Sequence, residues 1–404
     1  MKHKIAYIMS HFPHLPNTFV LREVVEMERL GWQIALYPLA KQETTSQQLA
    51  SQQLPLATKT IFKVNLSTLL DNPLRYLSLL LQIMGKNLGH FYHFIQALTL
   101  FPKAVYAATL MQKEGISHIH AYFATQPALV AWIIHKLTGI NYSVAVHAPD
   151  TFGKTSMLAT KLNDATFVAA ISKSNRQHLA KAIGSWVNDK TYVIHNGIIP
   201  ENYRRQTQHL RLGKQFEILS IGSLQRGQGH RYLIEACVSL RERNIPFHCQ
   251  IVGEGAERPF LEQLIASHQL EKQVKLLGDK GRSEVSRLLT TAHCYVQPNT
   301  VSQGITLSLM EAIASGLPVV ATDVIGIGEL IRHRETGYLM PPKNGLALAE
   351  AIEVLYAIPR HGEALAKNGR KLLLKEFELR KNVQNLSDLL EQVIEKNTTK
   401  ILAN

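Results

Sequence analysis

The sequence predicts an α/β protein made of two doubly wound parallel sheets, and three observations carry that prediction. Short apolar strands alternate with amphipathic helices along nearly the whole chain. A polar stretch rich in Arg and Gln, Asn202 to Gln215, reads as a linker, and beyond it the alternation restarts. At 404 residues the chain exceeds one hydrophobic core, so two domains are expected.

In the first half, Lys4 to Met9 reads as a strand, Phe19 to Leu30 as an amphipathic helix stopped by Gly31, and Gln33 to Tyr37 as a strand. A Gln/Thr/Ser-rich loop follows near Lys41 to Gln53, then apolar helices between Leu74 and Met111. Strand His118 to Tyr122, helix Ala128 to Leu137 and strand Tyr142 to Val146 come next. Strand Thr166 to Ala170, helix Lys173 to Ile183 and strand Thr191 to Ile194 complete this half.

The second half opens with strand Glu217 to Ile221, helix His230 to Arg241, strand His248 to Val252 and helix Pro259 to Ser267. Strand Val274 to Leu276, helix Ser283 to Thr290 and strand Cys294 to Gln297 lead to a helix from Thr306 to Ala314. Ser315-Gly316 stops that helix, and Pro318 to Ala321 is a short buried strand of the parallel type. A helix-rich tail, Gly345 to Lys396, finishes the chain. In such sheets ligands sit at the carboxyl ends of the strands, and two facing halves would hold one in the cleft between them.

Composition narrows the class. Hydrophobic content of 46% against 19% charged residues describes a packed globular chain and excludes a disordered one. Cys237, Cys249 and Cys294 are far apart in sequence and lack metal-ligand spacing, which suggests a reducing cytosol and no disulfide frame. The net charge of +13 is uneven: residues 1–200 hold 18 Lys+Arg against 9 Asp+Glu, leaving 26 against 22 for the remainder. The basic residues are scattered and no nucleic-acid motif accompanies them, so nucleic acid is not an expected partner. The segment Leu74 to Met111 interleaves apolar and aromatic side chains with Lys86 and Lys103. Two readings stay open for it, ordinary core helices or a face that meets a membrane surface. No run is read as reaching the ~18 apolar residues of a spanning helix, and the N-terminus shows no signal-peptide pattern.

The most informative segment is SQGITLSLMEAIASGLPVVATDVIGIGELI, Ser302 to Ile331, where Glu311 sits inside an otherwise apolar helix-forming run. An ionised Glu is seldom buried without a partner, so Glu311 is expected to face a ligand. Ahead of the helix, Gly304 lies where main-chain N–H groups are unpaired, and such a helix start binds anions. The bland alternative is a structural glycine turn with Glu311 paired to a basic residue of the core. The start of the second half repeats the pattern: strand EILSIGSL runs into QRGQGH and then a helix, so Gly227 and Gly229 could bring N–H groups against a diphosphate. Two anion-ready turns at one edge of a sheet suggest a nucleotide diphosphate.

On these residues the second half resembles the retaining glycosyltransferases of family 4. The matching segments, in family order, are IGSLQRGQGHRYLIEAC, IVGEGAERPFLEQLIASHQLEKQVKLLG and SQGITLSLMEAIASGLPVVATDVIGIGELI. In the first half FPHLPNTFVLREVVEMERLGWQI, HIHAYFATQPALVAWIIHKLTG, VAVHAPD, ISKSNRQHL and VIHNGI look like the bacterial exopolysaccharide, colanic-acid-type branch. The resemblance implies the GT-B architecture of two Rossmann-like domains facing across a cleft. It divides the chain into an acceptor-side domain at 1–200, a nucleotide-sugar-binding domain at 201–378, and a C-terminal helix at 379–404 packing back toward the first. It also implies a hexosyltransferase that is metal-independent and needs no cofactor, the nucleotide-sugar being its donor substrate.

Residue roles follow from the same resemblance. Glu311 matches the second glutamate of the family's Glu-x7-Glu motif, which holds the donor ribose hydroxyls. The N–H groups of Gly304, Ile305, Thr306 and Leu307 match those holding the donor sugar and diphosphate, with Gly222, Ser223, Arg226, Gln228 and Gly253 lining the same donor site. His147 of HAPD matches the histidine near the transferred sugar, with Asp150 close behind; Gln303 completes the catalytic set.

The chain departs from the family at three of these positions. Ser223 stands where relatives have an Arg or another residue, Gln228 replaces a phosphate-binding Lys, and Gln303 replaces the first glutamate of Glu-x7-Glu. A lost donor of this kind costs on the order of 3 kcal/mol of transition-state stabilisation, and Arg226, His230 or Arg231 are the neighbours able to substitute. Two functions are therefore expected in order: an enzyme adding a sugar to a polysaccharide or lipid-linked glycan, or a degenerate homologue that binds glycan or nucleotide as a partner subunit. A nucleotide-sugar epimerase or a phosphorylase on the same architecture ranks third. His11, His14 and Asn17 are candidate acceptor contacts, or simple loop residues. The expected location is the cytoplasm, peripherally at the inner face of the cell membrane, with an anionic membrane surface as a partner.

Overall fold

The computed structural model describes residues 3–10, 19–40, 58–89, 91–147, 156–203, 215–302 and 304–402. The chain divides into two compact units, one formed by Met1–Asn196 with Leu379–Asn404 and the other by Gly197–Glu378.

The first unit holds a six-stranded parallel sheet in the order β2-β1-β3-β4-β5-β6. Its strands are β1 (Lys4–Met9), β2 (Gln33–Pro38), β3 (His118–Tyr122), β4 (Tyr142–Val146), β5 (Val168–Ala170) and β6 (Thr191–Val193). β3 and β4 are buried along their whole length, as strands covered by helices on both faces must be. The helices are α1 (Phe19–Arg29), α2 (Thr58–Asp71), α3 (Pro73–Asn87), α4 (Phe91–Lys113), α5 (Gln126–Thr138), α6 (Leu158–Asp164) and α7 (Lys173–Ile183). Asn72 caps α3, its side chain accepting from Arg75 N–H, and Pro73 takes the first helical position, where a missing N–H costs nothing.

The long C-terminal helix α14 (Leu379–Leu402) belongs to this unit. It buries Val383, Leu386, Leu390 and Ile394, and Ser387 accepts from the Trp32 indole N–H at 2.9 Å.

Two helices differ from expectation. No helix was expected at α2, whose apolar residues lie on both sides: Ile61, Val64 and Leu69 are partly buried while Phe62, Leu66 and Leu70 are exposed, so no single stripe faces a polar side. α4, at 23 residues, is long and apolar enough by length and composition to cross a bilayer, which corrects the reading that no run reaches that length. Its C-terminal half nevertheless buries Leu100, Phe101, Ala104, Val105, Ala108 and Met111 in the core of the unit.

The second unit holds another six-stranded parallel sheet, in the order β12-β11-β10-β7-β8-β9. The strands are β7 (Phe216–Ile221), β8 (Phe247–Val252), β9 (Val274–Gly278), β10 (Cys294–Gln297), β11 (Val319–Thr322) and β12 (Tyr338–Met340). Helices α8 (His230–Glu242), α9 (Arg258–Ser267), α10 (Arg282–Thr291), α11 (Leu307–Ala314), α12 (Gly345–Ala357) and α13 (Pro359–Glu376) cover it. Cys237, Cys249 and Cys294, remote in sequence, all enter its core as free, fully buried thiols. The two ends of this unit meet: Ile198 pairs with Glu378, and Ile198 N–H donates to Phe377 C=O at 3.2 Å.

The presumed linker is structured at its start. Residues Pro200–Tyr203 form a 3₁₀ turn that buries Tyr203, while 204–214 lie outside the described residues.

Candidate active site

In the second sheet the chain lays down β8 and β9 on one side of β7, then β10, β11 and β12 on the other. The connections leaving β7 and β10 therefore diverge, and a crevice opens beyond their carboxyl ends, Ile221 and Gln297. Glycines let the surrounding loops close on this point. Gly253 has φ +138, and a Cβ there would stand 2.1 Å from the carbonyl oxygen of Gly222. Gly229 has φ +72, and its Cβ would stand 1.9 Å from the carbonyl oxygen of Pro298. Only a residue without a side chain permits both the left-handed backbone and this approach.

Helix α11 starts at the same edge. Thr306 is its N-cap, with Oγ1 accepting from Leu309 N–H at 3.3 Å and donating to Gln297 Oε1 at 2.8 Å. Gly304, at φ +73, turns the chain into this cap. The N–H groups of Ile305, Thr306 and Leu307 come before the first helical N–H to reach a carbonyl, that of Met310, and among the described residues none of the three donates to a carbonyl. The Tyr295 and Ser308 hydroxyls lie 2.9 Å apart and each is 3.2 Å from the Ile221 carbonyl, which ties α11 to the end of β7. At the other end Arg370 Nε donates to Ala314 C=O at 3.0 Å and satisfies a terminal carbonyl.

Glu311 lies one turn from Ser308 on the same face of α11. It is half-buried, and its Oε1 accepts from the Tyr203 hydroxyl at 2.7 Å. Tyr203, from the 3₁₀ turn, is thus a neutral partner of this carboxylate.

Around the glycine turn the groups are mostly neutral. Gln228 Nε2 reaches Ser223 Oγ at 3.4 Å, and the amide oxygen of Gln228 would stand 3.0 Å from a Cβ on Gly222. Arg226 is exposed on the same turn and has no carboxylate partner among the described residues. His230 is buried beside Gly222 and Ser223, and burial lowers its pKa to about 4, so the ring is neutral at pH 7. Gln297 Nε2 and Asn299 Nδ2 are buried with no hydrogen-bond partner among the described residues. Unsatisfied buried polar atoms of this kind cost stability and are characteristic of sites that complete their bonding with a ligand.

The first unit gathers titratable groups around β1, β3 and β4. His147 follows β4 and packs on the rings of Tyr122 and Phe123, with centroids 4.8 and 4.5 Å away. Burial, and then the neighbouring His120, lower its pKa to about 3. Phe123 holds φ 92, a strained value for a bulky residue. Deeper in, Ser143 Oγ bridges His120 Nδ1 at 2.8 Å and His118 Nε2 at 2.9 Å. Tyr7 donates to Glu23 Oε1 at 2.8 Å; burial lifts the Glu23 carboxyl to about 7 against the opposing pull of that bond.

The second unit thus brings Gly222, Ser223, Arg226, Gln228, Gly253, Gly304, Ile305, Thr306, Leu307 and Glu311 to one sheet edge, while His147 belongs to the first unit. Asp150, Gln303, His11, His14 and Asn17 lie outside the described residues. Sequence reasoning missed Tyr203, Glu23, Gln297 and Asn299. For Tyr203 the available signal was an aromatic hydroxyl just before a polar stretch, since a buried Tyr hydroxyl needs a partner.

Residues 202–372 match the family described as glycosyl transferases group 1. The amylovoran biosynthesis glycosyltransferase AmsK of Erwinia amylovora is 33% identical over 226 residues, which cover 54% of this chain and 54% of that protein. The chain therefore spans about half the length of the curated relative it matches. Sucrose-phosphate synthase from Thermosynechococcus elongatus superposes with a TM-score of 0.75 at 18% identity, covering 98% of this chain and 100% of the other. HepE of Anabaena, solved in complex with UDP, superposes with a TM-score of 0.71 at 18% identity, covering 97% and 100%. These likenesses identify the fold as GT-B. Within the second unit, the matched residues 202–372 make that part of the chain similar to the glycosyl transferases group 1 family.

Proposed function

We propose that the protein is a retaining, metal-independent glycosyltransferase that moves a sugar from a nucleotide-sugar donor to a polysaccharide or lipid-linked glycan. The observation that carries this reading is the convergence of the Gly222 turn, the α11 start and the Tyr203-held Glu311 at the switch point of the second sheet. AmsK, named for amylovoran biosynthesis, supports the acceptor class, and HepE, solved with UDP, supports a nucleotide in the donor site.

In this reading Glu311 accepts the vicinal hydroxyls of the donor ribose, and Tyr203 keeps its carboxylate aimed. The N–H groups from Gly304 to Leu307 and the positive end of α11 face the diphosphate. As the bond from the anomeric carbon to the phosphate breaks, negative charge grows on the diphosphate while the sugar gains oxocarbenium character. Donors fixed in advance stabilise that change without reorganising. Arg226 supplies the cation that Gln228 lacks. Attack on the same face, with the departing phosphate accepting the acceptor's proton, gives retention. His147, held neutral by burial, is a hydrogen-bonding partner for the transferred sugar. Acceptor contacts fall to the first unit, and the reaction takes place on the cytoplasmic side of the cell membrane.

The test is release of nucleoside diphosphate from UDP-, GDP- and ADP-sugars, with calorimetric binding beside it and Glu311→Ala as control. The expected result is release from one donor class, with binding weakened about a hundredfold in the control, the equivalent of roughly 3 kcal/mol for the lost charged hydrogen bonds. Binding without release by any donor would favour a degenerate, nucleotide-binding partner subunit instead. No binding at all would remove the reading.

A further inference from the structure

Ten of the eighteen large apolar side chains exposed among the described residues fall between residues 62 and 95. On α2 they recur at Phe62, Leu66 and Leu70, a strict four-residue spacing that keeps them on one face. Across the Asn72-Pro73 junction the stripe resumes on α3 at Leu74, Leu77 and Leu81. The start of α4 adds Phe91 and Tyr92, and the exposure is near complete, 82% for Leu74 and 80% for Phe91. An apolar stripe of this length is more than the scattered leucines of an ordinary surface.

Charge tells which partner it fits. Between residues 58 and 97 the chain has Lys59, Lys63, Arg75 and Lys86 against a single acid, Asp71. All four cations are exposed, and among the described residues none pairs with a carboxylate: Arg75 donates to the carbonyl of Lys136, and Lys86 to the hydroxyl of Thr160. Beside the stripe lies a groove of about 600 Å³ whose walls include Lys63, Arg75 and Lys113. A second copy of the chain, docked about a two-fold axis, would set this basic surface against itself. An apolar stripe with uncompensated cations matches a bilayer with anionic headgroups: the leucines and aromatics enter the boundary of the acyl chains while the lysines stay at headgroup level.

We propose that the exposed face of α2, α3 and the start of α4 is the surface by which this protein docks on an anionic membrane. The proposal deepens the membrane side of the function above and assigns it to named residues. Its test does not depend on turnover. The whole protein is floated with vesicles of phosphatidylcholine alone and of phosphatidylcholine with about one-third phosphatidylglycerol, at low and at half-molar salt. Two variants are run beside it, Phe62→Ser/Leu70→Ser/Leu74→Ser and Lys59→Glu/Lys63→Glu/Lys86→Glu. Circular dichroism melting checks the fold, and nucleoside-diphosphate binding checks the donor site in the same samples.

Expected is binding to the anionic vesicles that salt weakens, and a loss of at least tenfold in either variant. Each removed cation accounts for roughly fivefold. Wild-type protein that floats no better with anionic than with neutral vesicles would overturn the proposal. So would a dimer in solution that the serine variant dissolves, because that outcome assigns the stripe to a second copy. If donor binding fails while vesicle binding persists, the functional reading falls and this one stands.

Discussion

The two units each carry a six-stranded parallel sheet, differing in strand order, and put it to opposite electrostatic ends. In the first unit the buried polar groups can gain or lose protons: His147 just past the carboxyl end of β4, His118, His120 and Tyr7 within the strands, and Glu23 on α1. At the carboxyl edge of the second sheet sit groups that mostly cannot: Gln228, Ser223, Gln297, Asn299, Thr306 and a row of main-chain N–H groups. A site of fixed dipoles costs little to build and waits for a ligand to complete its hydrogen bonds. A site of buried ionisable groups is sensitive to the proton concentration even when empty. The first unit should therefore answer to pH and the second to nucleotide.

The largest effect expected on the second unit comes from Gly229→Ala. The new methyl would need φ +72 and would overlap the Pro298 carbonyl, a conflict worth about 3 kcal/mol or more. Loss of nucleotide binding together with a lower melting temperature is expected; an unchanged melt would show that the loop yields freely.

Acid should separate the units next. His118 and His147 have folded pKa values of about 3, and His120 and His230 of about 4, all depressed by burial. Unfolded histidines titrate near 6.5, so below that pH the unfolded chain binds more protons and stability falls until the folded values are reached. Each histidine then costs on the order of 2 kcal/mol between pH 6.5 and pH 5. Glu23 acts in the opposite sense, because its raised pKa lets the folded state take a proton first between 7 and the ordinary carboxyl value. Three of the four histidines lie in the first unit, which should unfold first in urea at pH 5; hydrogen exchange resolved along the chain would show it. Earlier loss of the second unit would reverse the assignment.

Smaller effects sharpen the picture of the second unit. Gln228→Lys adds a cation to the neutral turn and should tighten nucleoside-diphosphate binding about tenfold, or 1.4 kcal/mol. Weaker binding in calorimetry would mean that the contact between Gln228 and Ser223 is part of an adapted site. Tyr203→Phe should cost about 1 kcal/mol of nucleotide affinity and narrow the preference for a ribonucleotide over its deoxy form. An equal loss for both would reduce Tyr203 to packing.

Most of the framework was legible in the sequence, for a physical reason. Strands such as His118–Tyr122 and Cys294–Gln297, and the helix Lys173–Ile183, are bounded in the structure as the apolar pattern bounds them. α2 escaped because its apolar residues are spread over both its buried and its exposed sides. Half of the site was equally plain, since the glycine turn and the start of α11 are local motifs. The bond from Tyr203 to Glu311 joins residues 108 positions apart, and the His118–Ser143–His120 bridge joins two strands. Neither leaves a trace in local spacing, so both needed the assembled sheet. The three cysteines teach the same lesson: distant in the chain, they end in one core.

The meeting of Ile198 with Phe377 and Glu378 bears on how the molecule could change over time. The second unit leaves and re-enters the chain at two junctions held side by side, so it is an insertion with adjoining ends. Domain insertions are tolerated where the ends lie close together. Another folded unit would fit in place of Gly197–Glu378 through two neighbouring splice points, leaving the first unit and its returning helix whole.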